Sequence, residues 1–335
     1  MTEAPVTILI TSAGGASACN VIKALKSQAE IPVRLIASDL DPLGVGLHLA
    51  DVAYTLPRAS DKAFIPKVLE ICEKEGVEVI IPILSVEVPV FAEHLAEFQA
   101  RRISLVLPSS ETLSICGDKW KTYQRFIDAG IPTPRSWRPD ELPDAAHLPF
   151  PLFIKPSVGS GSRDAYRVDS SEDLHRLLST VKNPIIQEFV SGAEYTVDVF
   201  ADRESNLLAA IPRERMRVAE GKTQLGRTLM DPEIRAFVER IVKQVSLVGP
   251  GNVQCIRGEQ GLRFTEINAR FAAGGLPLAI AAGANTPLML LKLALGRAVE
   301  PIHGYQVGLV MARYSTEIFF RVASDGTVQE VGGHA

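Results

Sequence analysis

Cysteine is scarce: Cys19, Cys72, Cys116 and Cys255 are the only four in 335 residues, and no two form a CxxC pair. That spacing argues against both a disulfide framework and a thiolate zinc site, and fits a reducing, cytoplasmic setting. The six histidines make no HxxxH or HExxH pair, so any metal is expected on oxygen ligands. There is no surplus of positive charge. A formal net charge of -4 provides no general field to gather nucleic acid or anionic lipid. No long apolar run is left unbroken either: the stretch 274–296 is interrupted by Pro277, Asn285, Pro287 and Lys292, and reads as buried helices rather than a membrane span. The first residues lead straight into VTILIT with no basic region ahead of an apolar segment, so no secretion signal is expected. Small molecules, rather than nucleic acid or membrane, become the expected partners.

What is present is enough apolar material for a large core, 46% of residues, in a chain long enough for two or three domains. From Val6 to Leu107, the runs VTILIT, VRLIAS, VEVIIPIL and ISLVLP alternate with helix-length stretches such as Ser17 to Lys26 and Asp61 to Glu75. Such alternation predicts a parallel sheet with right-handed crossovers. No repeat or low-complexity tract interrupts it. After Pro108 a short helix is expected, then another from Gly117-Asp118 to about Ala129, ended by the prolines of GIPTP. Pro139 to Pro151 reads as a connecting loop. Strands then dominate (PLFIKP, AYRV, IIQEFV, EYTVDVFA, NLLAAIP), interrupted by a helix from Asp231 to Val248 with Asp231 as cap and Pro232 at its first position. NVQCIRGEQGLRFTEINAR has the pattern of a hairpin turning through Gly258 to Gly261, and Asp325-Gly326 marks a second hairpin near the C-terminus.

Three groupings can carry chemistry. In FIKPSVGSGS, Lys155 ends a strand and Gly159, Ser160 and Gly161 follow; glycines let backbone N–H groups converge on phosphate oxygens, and the lysine adds a point charge. No GK[ST] follows, so this is not a Walker loop, and an ordinary glycine-rich hairpin accounts for it equally well. Glu266 and Asn268, two apart on one strand, share a face, and with Gln254 on the partner strand their oxygens can converge on a hard cation. Arg270 could reach a phosphoryl group next to that metal. Taken singly, each of these is equally a chance polar residue on a solvated face. Gln187-Glu188-Phe189-Val190, followed by Gly192-Ala-Glu194-Tyr, offers free backbone groups to an adenine edge and a carboxylate to ribose hydroxyls.

In this order the pieces resemble the ATP-grasp superfamily, particularly carbamoyl-phosphate synthase domains and biotin carboxylase. The likeness runs from ILITSAGGASACNVIKAL through GDKWKTYQRFIDAGIPTP and the glycine loop to FTEINARFAAGG. It implies an α/β fold, with the α+β ATP-grasp architecture: an N-terminal parallel-sheet pre-ATP-grasp domain (1–116), a small lid subdomain (117–186) and a C-terminal subdomain with the metal site (187–335). It implies ATP and Mg²⁺ as cofactors, with Mn²⁺ as the substitute. Lys119 and Lys155 match the phosphate-binding lysines, and Gly159, Ser160 and Gly161 the loop closing over the phosphates. Glu188 and Val190 match the adenine hinge, and Glu194 the ribose carboxylate. Gln254, Glu266 and Asn268 match the metal set. Lys155, Arg270 and Arg215 are the catalytic candidates, Arg270 steadying an acyl phosphate and Arg215 reaching substrate or phosphate from a loop preceding the long helix. Three departures stand out: Ala269 where many relatives have proline, Asp164 where glycine is common, and Ser85 in place of an acidic residue, with Glu87 kept.

The implied reaction is ligation of a small-molecule carboxylate to an amine, or to a thiol, through an acyl phosphate, with a homodimer as the common assembly. Two other readings stay open. One is a nucleotide-binding regulator that has lost catalysis, although every metal and phosphate ligand of the motif is kept. The other is a dinucleotide-binding protein, since Ser12-Ala-Gly-Gly15 follows a strand and Asp39 ends the next; a tight strand-to-helix turn explains Gly14 and Gly15 as well. The four arginines and one lysine between Arg213 and Arg227, read as a loop, suggest either an acidic substrate or a solvated basic surface.

Overall fold

A computed structural model describes residues 4–330 apart from 160, 162, 220, 316 and 324–327. The chain divides into two units, one made of Met1–Leu107, Arg270–Glu300 and Arg313–Ala335, the other of Pro108–Ala269 and Pro301–Ala312.

The first unit opens with β1 (Val6–Thr11), α1 (Ala16–Ser27), β2 (Val33–Asp39), β3 (Val52–Thr55), α2 (Phe64–Glu75) and β4 (Val79–Pro82). The four strands form a wholly parallel sheet in the order β3-β2-β1-β4. Every residue of β1 is buried, which is why VTILIT is apolar throughout rather than alternating. One sheet face is filled by Leu9, Ile36 and Ile80 with Phe64 and Val68 of α2. Phe91 and Phe98, from the short helices α3 (Val88–Glu93) and α4 (Leu95–Ala100), complete that core.

Two details differ from the sequence reading. β3 is a half-exposed edge strand too short and too weakly apolar to announce itself. ISLVLP makes only a bridge at Ser104, whose N–H donates to Glu78 and whose carbonyl accepts from Ile80 before the chain leaves the sheet. The turn after β1 is crowded. A side chain at Gly46 would stand 2.0 Å from the Ala13 carbonyl oxygen, and the Gly14 N–H donates to Asp39 Oδ2 at 2.6 Å. Glycine here answers to close backbone approach.

The second unit starts with α5 (Ser110–Gly117) and α6 (Lys119–Asp128). Ser109 Oγ accepts the Thr112 N–H at the start of α5, and Asp118 Oδ1 accepts the Trp120 N–H at 2.8 Å at the start of α6. β5 (Ser136–Trp137), β6 (Leu152–Pro156), β7 (Tyr166–Val168) and β8 (Pro184–Glu188) form an antiparallel sheet in the order β5-β8-β6-β7, covered by α7 (Ser171–Leu178). Trp137, Leu152, Ile154, Leu174 and Ile186 make its core. The expected loop 139–151 contains two single 3₁₀ turns, Pro139–Glu141 and Ala145–His147; proline at the first position of the former presets its φ.

A larger antiparallel sheet follows, built from β9 (Ala193–Ala201), β10 (Leu207–Ala219), β11 (Lys222–Thr228), β12 (Gly249–Gly258) and β13 (Gly261–Asn268). The segment Arg213 to Arg227, expected as a loop, is mostly the β10–β11 hairpin. Its charges conceal the strand pattern because they are paired. Arg213 is 3% exposed and its Nε donates to Asp198 Oδ2 at 2.7 Å, while Arg227 meets Glu214 at 2.7 Å. α8 (Pro232–Gln244) begins as expected, with Asp231 Oδ1 accepting the Ile234 N–H at 3.0 Å, and packs Ile234, Val238 and Ile241 into the sheet's core. It stops four residues short of Val248 because Ser246 takes a left-handed φ of 51°.

The chain then returns to the first unit with α9 (Leu276–Ala281) and α10 (Thr286–Ala294), the two buried helices expected of 274–296, which pack on α1. β14 (Val310–Ala312) adds the last strand of the larger sheet, order β13-β12-β9-β10-β11-β14. β15 (Phe320–Val322) and β16 (Val328–Glu330) pair antiparallel in the first unit; Asp325 and Gly326, expected at their turn, lie outside the described residues. No helix among the described residues is long and apolar enough to cross a membrane.

Candidate active site

The second unit holds a cleft of about 680 Å³ lined by both of its sheets. β6 contributes Lys155 and Phe153, which share a face because they are two apart. The N-terminus of α6 contributes Lys119, whose Nζ donates to the Gly159 carbonyl at 2.8 Å. Gly159, Gly161, Arg163 and Asp164 supply the loop between β6 and β7. The end of β8 and the following turn supply Glu188, Phe189 and Val190, and β9 supplies Glu194. From the larger sheet come Arg215 on β10, Gln254 and Ile256 on β12, and Thr265 and Glu266 on β13.

Sheet register explains this convergence. Gln254 stands directly across from Glu266, and Thr196 of β9 across from Gln254. The register slips between Gln254 and Cys255, and this bulge lets the consecutive residues Thr265 and Glu266 both line the cleft. Two residues along, Asn268 stands across from Asn252; its amide donates to Glu266 Oε1 at 2.9 Å and to Asn252 Oδ1 at 3.2 Å. Arg215 is held between Glu194 Oε2 at 3.2 Å, Gln254 Oε1 at 3.5 Å and the Gly221 carbonyl at 3.1 Å. Glu188 Oε2 accepts the Arg135 N–H at 3.1 Å, which turns its carboxylate toward β5.

Both signs of charge line the cleft, Lys119, Lys155, Arg163 and Arg215 alongside Asp164, Glu188, Glu194 and Glu266. Burial pushes the Lys155 ammonium down to about 8, with Glu266 opposing the shift and Lys119 adding to it. Lys155 keeps some accessible surface because the cleft is open, but protein surrounds its ammonium. Burial likewise lowers the Arg215 guanidinium, Glu194 pulling it back up. Among the described residues the thiol lining the cleft is Cys255, which burial pushes up to about 12 and so keeps protonated near neutral pH.

Among the described residues no three His, Cys, Asp or Glu side chains cluster as a metal site. The donor set at Gln254, Glu266 and Asn268 is one carboxylate and two amide oxygens. That set is all hard oxygen and fits Mg²⁺ or Mn²⁺ when phosphate oxygens complete the coordination.

Of the residues singled out in the sequence, Lys119, Lys155, Gly159, Gly161, Glu188, Val190, Glu194, Arg215, Gln254 and Glu266 line one cleft, and Asn268 adjoins it through Glu266. Ser160 lies outside the described residues. Arg270 falls in the first unit, past the end of β13, where its Nε donates to Ser85 Oγ at 2.9 Å. Sequence reasoning passed over Phe153 and Ile256 of the apolar lining, while Phe189 fell inside the segment expected to meet an adenine edge. Period-two spacing from Lys155 and Gln254 could have found Phe153 and Ile256. Glu87 is buried in the first unit, accepting from Thr11 and Ser12 hydroxyls at 2.8 and 2.7 Å, and burial raises its carboxyl.

Two family models match the chain: "ATP-grasp in the biosynthetic pathway with Ter operon" over residues 180–315, and "PylC-like, N-terminal domain" over residues 8–106. The mitochondrial methylcrotonoyl-CoA carboxylase subunit alpha of Dictyostelium discoideum is 24% identical over 303 residues, 79% of this chain and 42% of that protein. The carbamoyl-phosphate synthase of Methanobrevibacter smithii is 22% identical over 172 residues, 50% of this chain and 46% of that protein. The chain thus spans less than half the length of either relative. The biotin carboxylase domain dimer of Hydrogenobacter thermophilus 2-oxoglutarate carboxylase, solved with MgADP, ADP and bicarbonate, superposes with a TM-score of 0.73 at 17% identity, covering 99% of this chain and 84% of that one. The L-amino acid ligase of Bacillus licheniformis superposes at 0.67 with 16% identity, covering 88% and 75%.

The chain belongs to the ATP-grasp superfamily, a family of ATP-dependent ligases. Within it, this protein is related to carbamoyl-phosphate synthase and biotin carboxylase domains and carries a PylC-like N-terminal domain.

Proposed function

We propose that this chain phosphorylates a small-molecule carboxylate with ATP and transfers the acyl group to an amine or a thiol, releasing ADP and phosphate. The observation that carries the reading is one cleft in which two lysines and a glycine loop meet the Glu266 carboxylate and the Gln254 amide, with the Asn268 amide hydrogen-bonded to Glu266 from beside it. Lys119 and Lys155 neutralise the triphosphate, and the backbones of Gly159 and Gly161 lie over its distal end. The Phe189–Val190 turn and Phe153 bind the base, with Glu194 on the ribose. Gln254, Glu266 and Asn268 would hold Mg²⁺ or Mn²⁺, which when bound neutralises charge on the phosphate oxygens.

A substrate carboxylate oxygen attacks the γ-phosphorus as its bond to the β-phosphate oxygen breaks and ADP leaves. The amine nitrogen then attacks the acyl carbon, loses its proton to solvent, and inorganic phosphate departs. Arg270, two residues past Asn268 in the chain, is assigned the developing oxyanion, and Arg215 the transferring phosphoryl group. Catalysis is positioning and charge neutralisation, with no covalent protein intermediate. The amine acceptor is supported by the likeness to an L-amino acid ligase, and a homodimer by the likeness to a dimeric domain. In functional terms 1–116 is the pre-ATP-grasp domain, 117–186 the lid and 187–335 the metal-bearing part.

The test is Mg²⁺-dependent release of ADP and phosphate across a panel of carboxylates and amines, with Lys155→Ala and Glu266→Ala alongside. Release that requires one carboxylate, a product mass equal to the two substrates less water, and silence in both variants is the expected result. Tight nucleotide binding with no stimulation by any carboxylate would shift the reading to a regulator, and no nucleotide binding at all would remove it.

A further inference from the structure

Two glycines, one in the β6–β7 loop and one in the β10–β11 turn, bring their backbones together beside the cleft that Gly161 lines. The β10–β11 turn at Gly221 lies so close to the glycine loop that a methyl group there would stand 3.0 Å from the Gly161 carbonyl carbon and 3.1 Å from its Cα and oxygen. The neighbouring atoms are backbone, so none can swing aside as a flexible side chain would. Both glycines also have left-handed φ, 69° at Gly221 and 77° at Gly161. Gly221 is itself tethered, its carbonyl accepting from Arg215 Nη2 at 3.1 Å while Nη1 of the same guanidinium donates to Glu194. At its other end the loop is pinned by Lys119, through the Ser157 carbonyl to the Lys119 N–H at 2.9 Å and the Gly159 carbonyl to its Nζ.

We infer that the Gly221 turn is the seat of the phosphate loop: it positions Gly161 over the cleft, and Arg215 fixes the seat relative to Glu194. Gly221 is therefore a positioning residue for polyphosphate binding, acting through Gly161 and making no ligand contact of its own. The inference rests on the nucleotide reading of the cleft for its ligand, but the seating itself is a property of the free protein. Its consequence is selective. A displaced loop loses contacts to the distal phosphates and leaves the base and ribose subsites on β8 and β9 intact.

The experiment compares Gly221→Ala and Gly221→Asn with Gly261→Ala. Gly261, in the β12–β13 turn, has φ 89° but nothing within 4 Å of an added Cβ, so it reports left-handed strain alone. Asparagine tolerates left-handed backbone better than alanine, yet carries the same Cβ. Binding of a non-hydrolysable ATP analogue and of adenosine is measured by calorimetry. Both Gly221 variants are expected to weaken the analogue by about tenfold or more and adenosine by less than about twofold, while Gly261→Ala leaves both unchanged. Equal weakening of the two ligands, recovery in Gly221→Asn, or no weakening overturns the seat.

Hydrogen exchange at the Gly159 and Gly161 amides of the ligand-free protein gives a second arm independent of the nucleotide reading. Faster exchange in the Gly221 variants than in Gly261→Ala supports the seat even if wild type binds no nucleotide. Unchanged exchange overturns it.

Discussion

Lys155 sets the pH behaviour of the cleft. Its free-protein value of about 8 lies below the ordinary 10.5, so the charged form is penalised in the fold. That penalty is complete below about pH 8 and is relieved as pH rises from there toward 10.5, so this group alone makes the fold more stable with rising pH. Polyphosphate beside the ammonium acts oppositely, favouring the charged form. Nucleotide binding at about pH 8 is therefore expected to take up roughly half a proton, and affinity to fall as pH rises further. Calorimetry in buffers of different ionisation enthalpy checks this, with the proton uptake absent in Lys155→Met. A second residue prediction concerns Arg213. Removing it strands Asp198, 3% exposed, as a buried charge with Oδ1 already unpaired, and Arg213→Ala is expected to cost about 3–5 kcal/mol in urea unfolding. Lys155, Gln254 and Glu266 were legible in the sequence because strand periodicity and the family motif coincide there. Arg213 was not: its meaning depends on Asp198, fifteen positions away on the neighbouring strand.

Among elements, α8 illustrates what local signals determine. Asp-Pro-Glu at 231–233 announces a capped helix start, and the helix begins there because Asp231 accepts the Ile234 N–H before the first intrahelical bonds exist. Asp231→Ala is expected to lower stability by about 1 kcal/mol for the cap, with a further small loss from its partly exposed pair with Arg257; thermal melting with Asp231→Asn as the conservative control measures the division. The β10–β11 hairpin shows the opposite case. PRERMRVAEGK reads as a charged loop, since three of its charged side chains, Arg213, Glu214 and Arg215, find partners only after β9, β11 and β12 are in place. Elements whose polarity is satisfied by distant strands do not carry an alternating apolar pattern.

At the scale of the molecule, the parallel pairing of β1 with β2 and β4 follows from alternating apolar runs, and the second unit's wealth of strands from its short β-branched segments. The return of 270–300 to the first unit could not be read. Its helices are apolar nearly all round, and no local signal states which surface they cover. Every cleft-lining residue belongs to the second unit. Saturation with an ATP analogue at a hundred times its Kd is therefore expected to add about 2.7 kcal/mol of protection, concentrated in amides of 108–269 rather than in β1, β2 and β4. Hydrogen exchange mass spectrometry checks it, and equal protection of the N-terminal sheet would contradict the expectation.

The order in which a ribosome delivers the chain gives the interrupted first unit a biosynthetic consequence. Its helix α1 packs against α9 and α10, which are not finished until Ala294. All cleft residues, from Lys119 to Glu266, emerge earlier. A nascent chain paused at Ala269 thus carries a complete cleft together with a sheet domain whose α1 flank is still bare. For that interval the sheet domain, made before the cleft, exposes an apolar flank that a chaperone would cover.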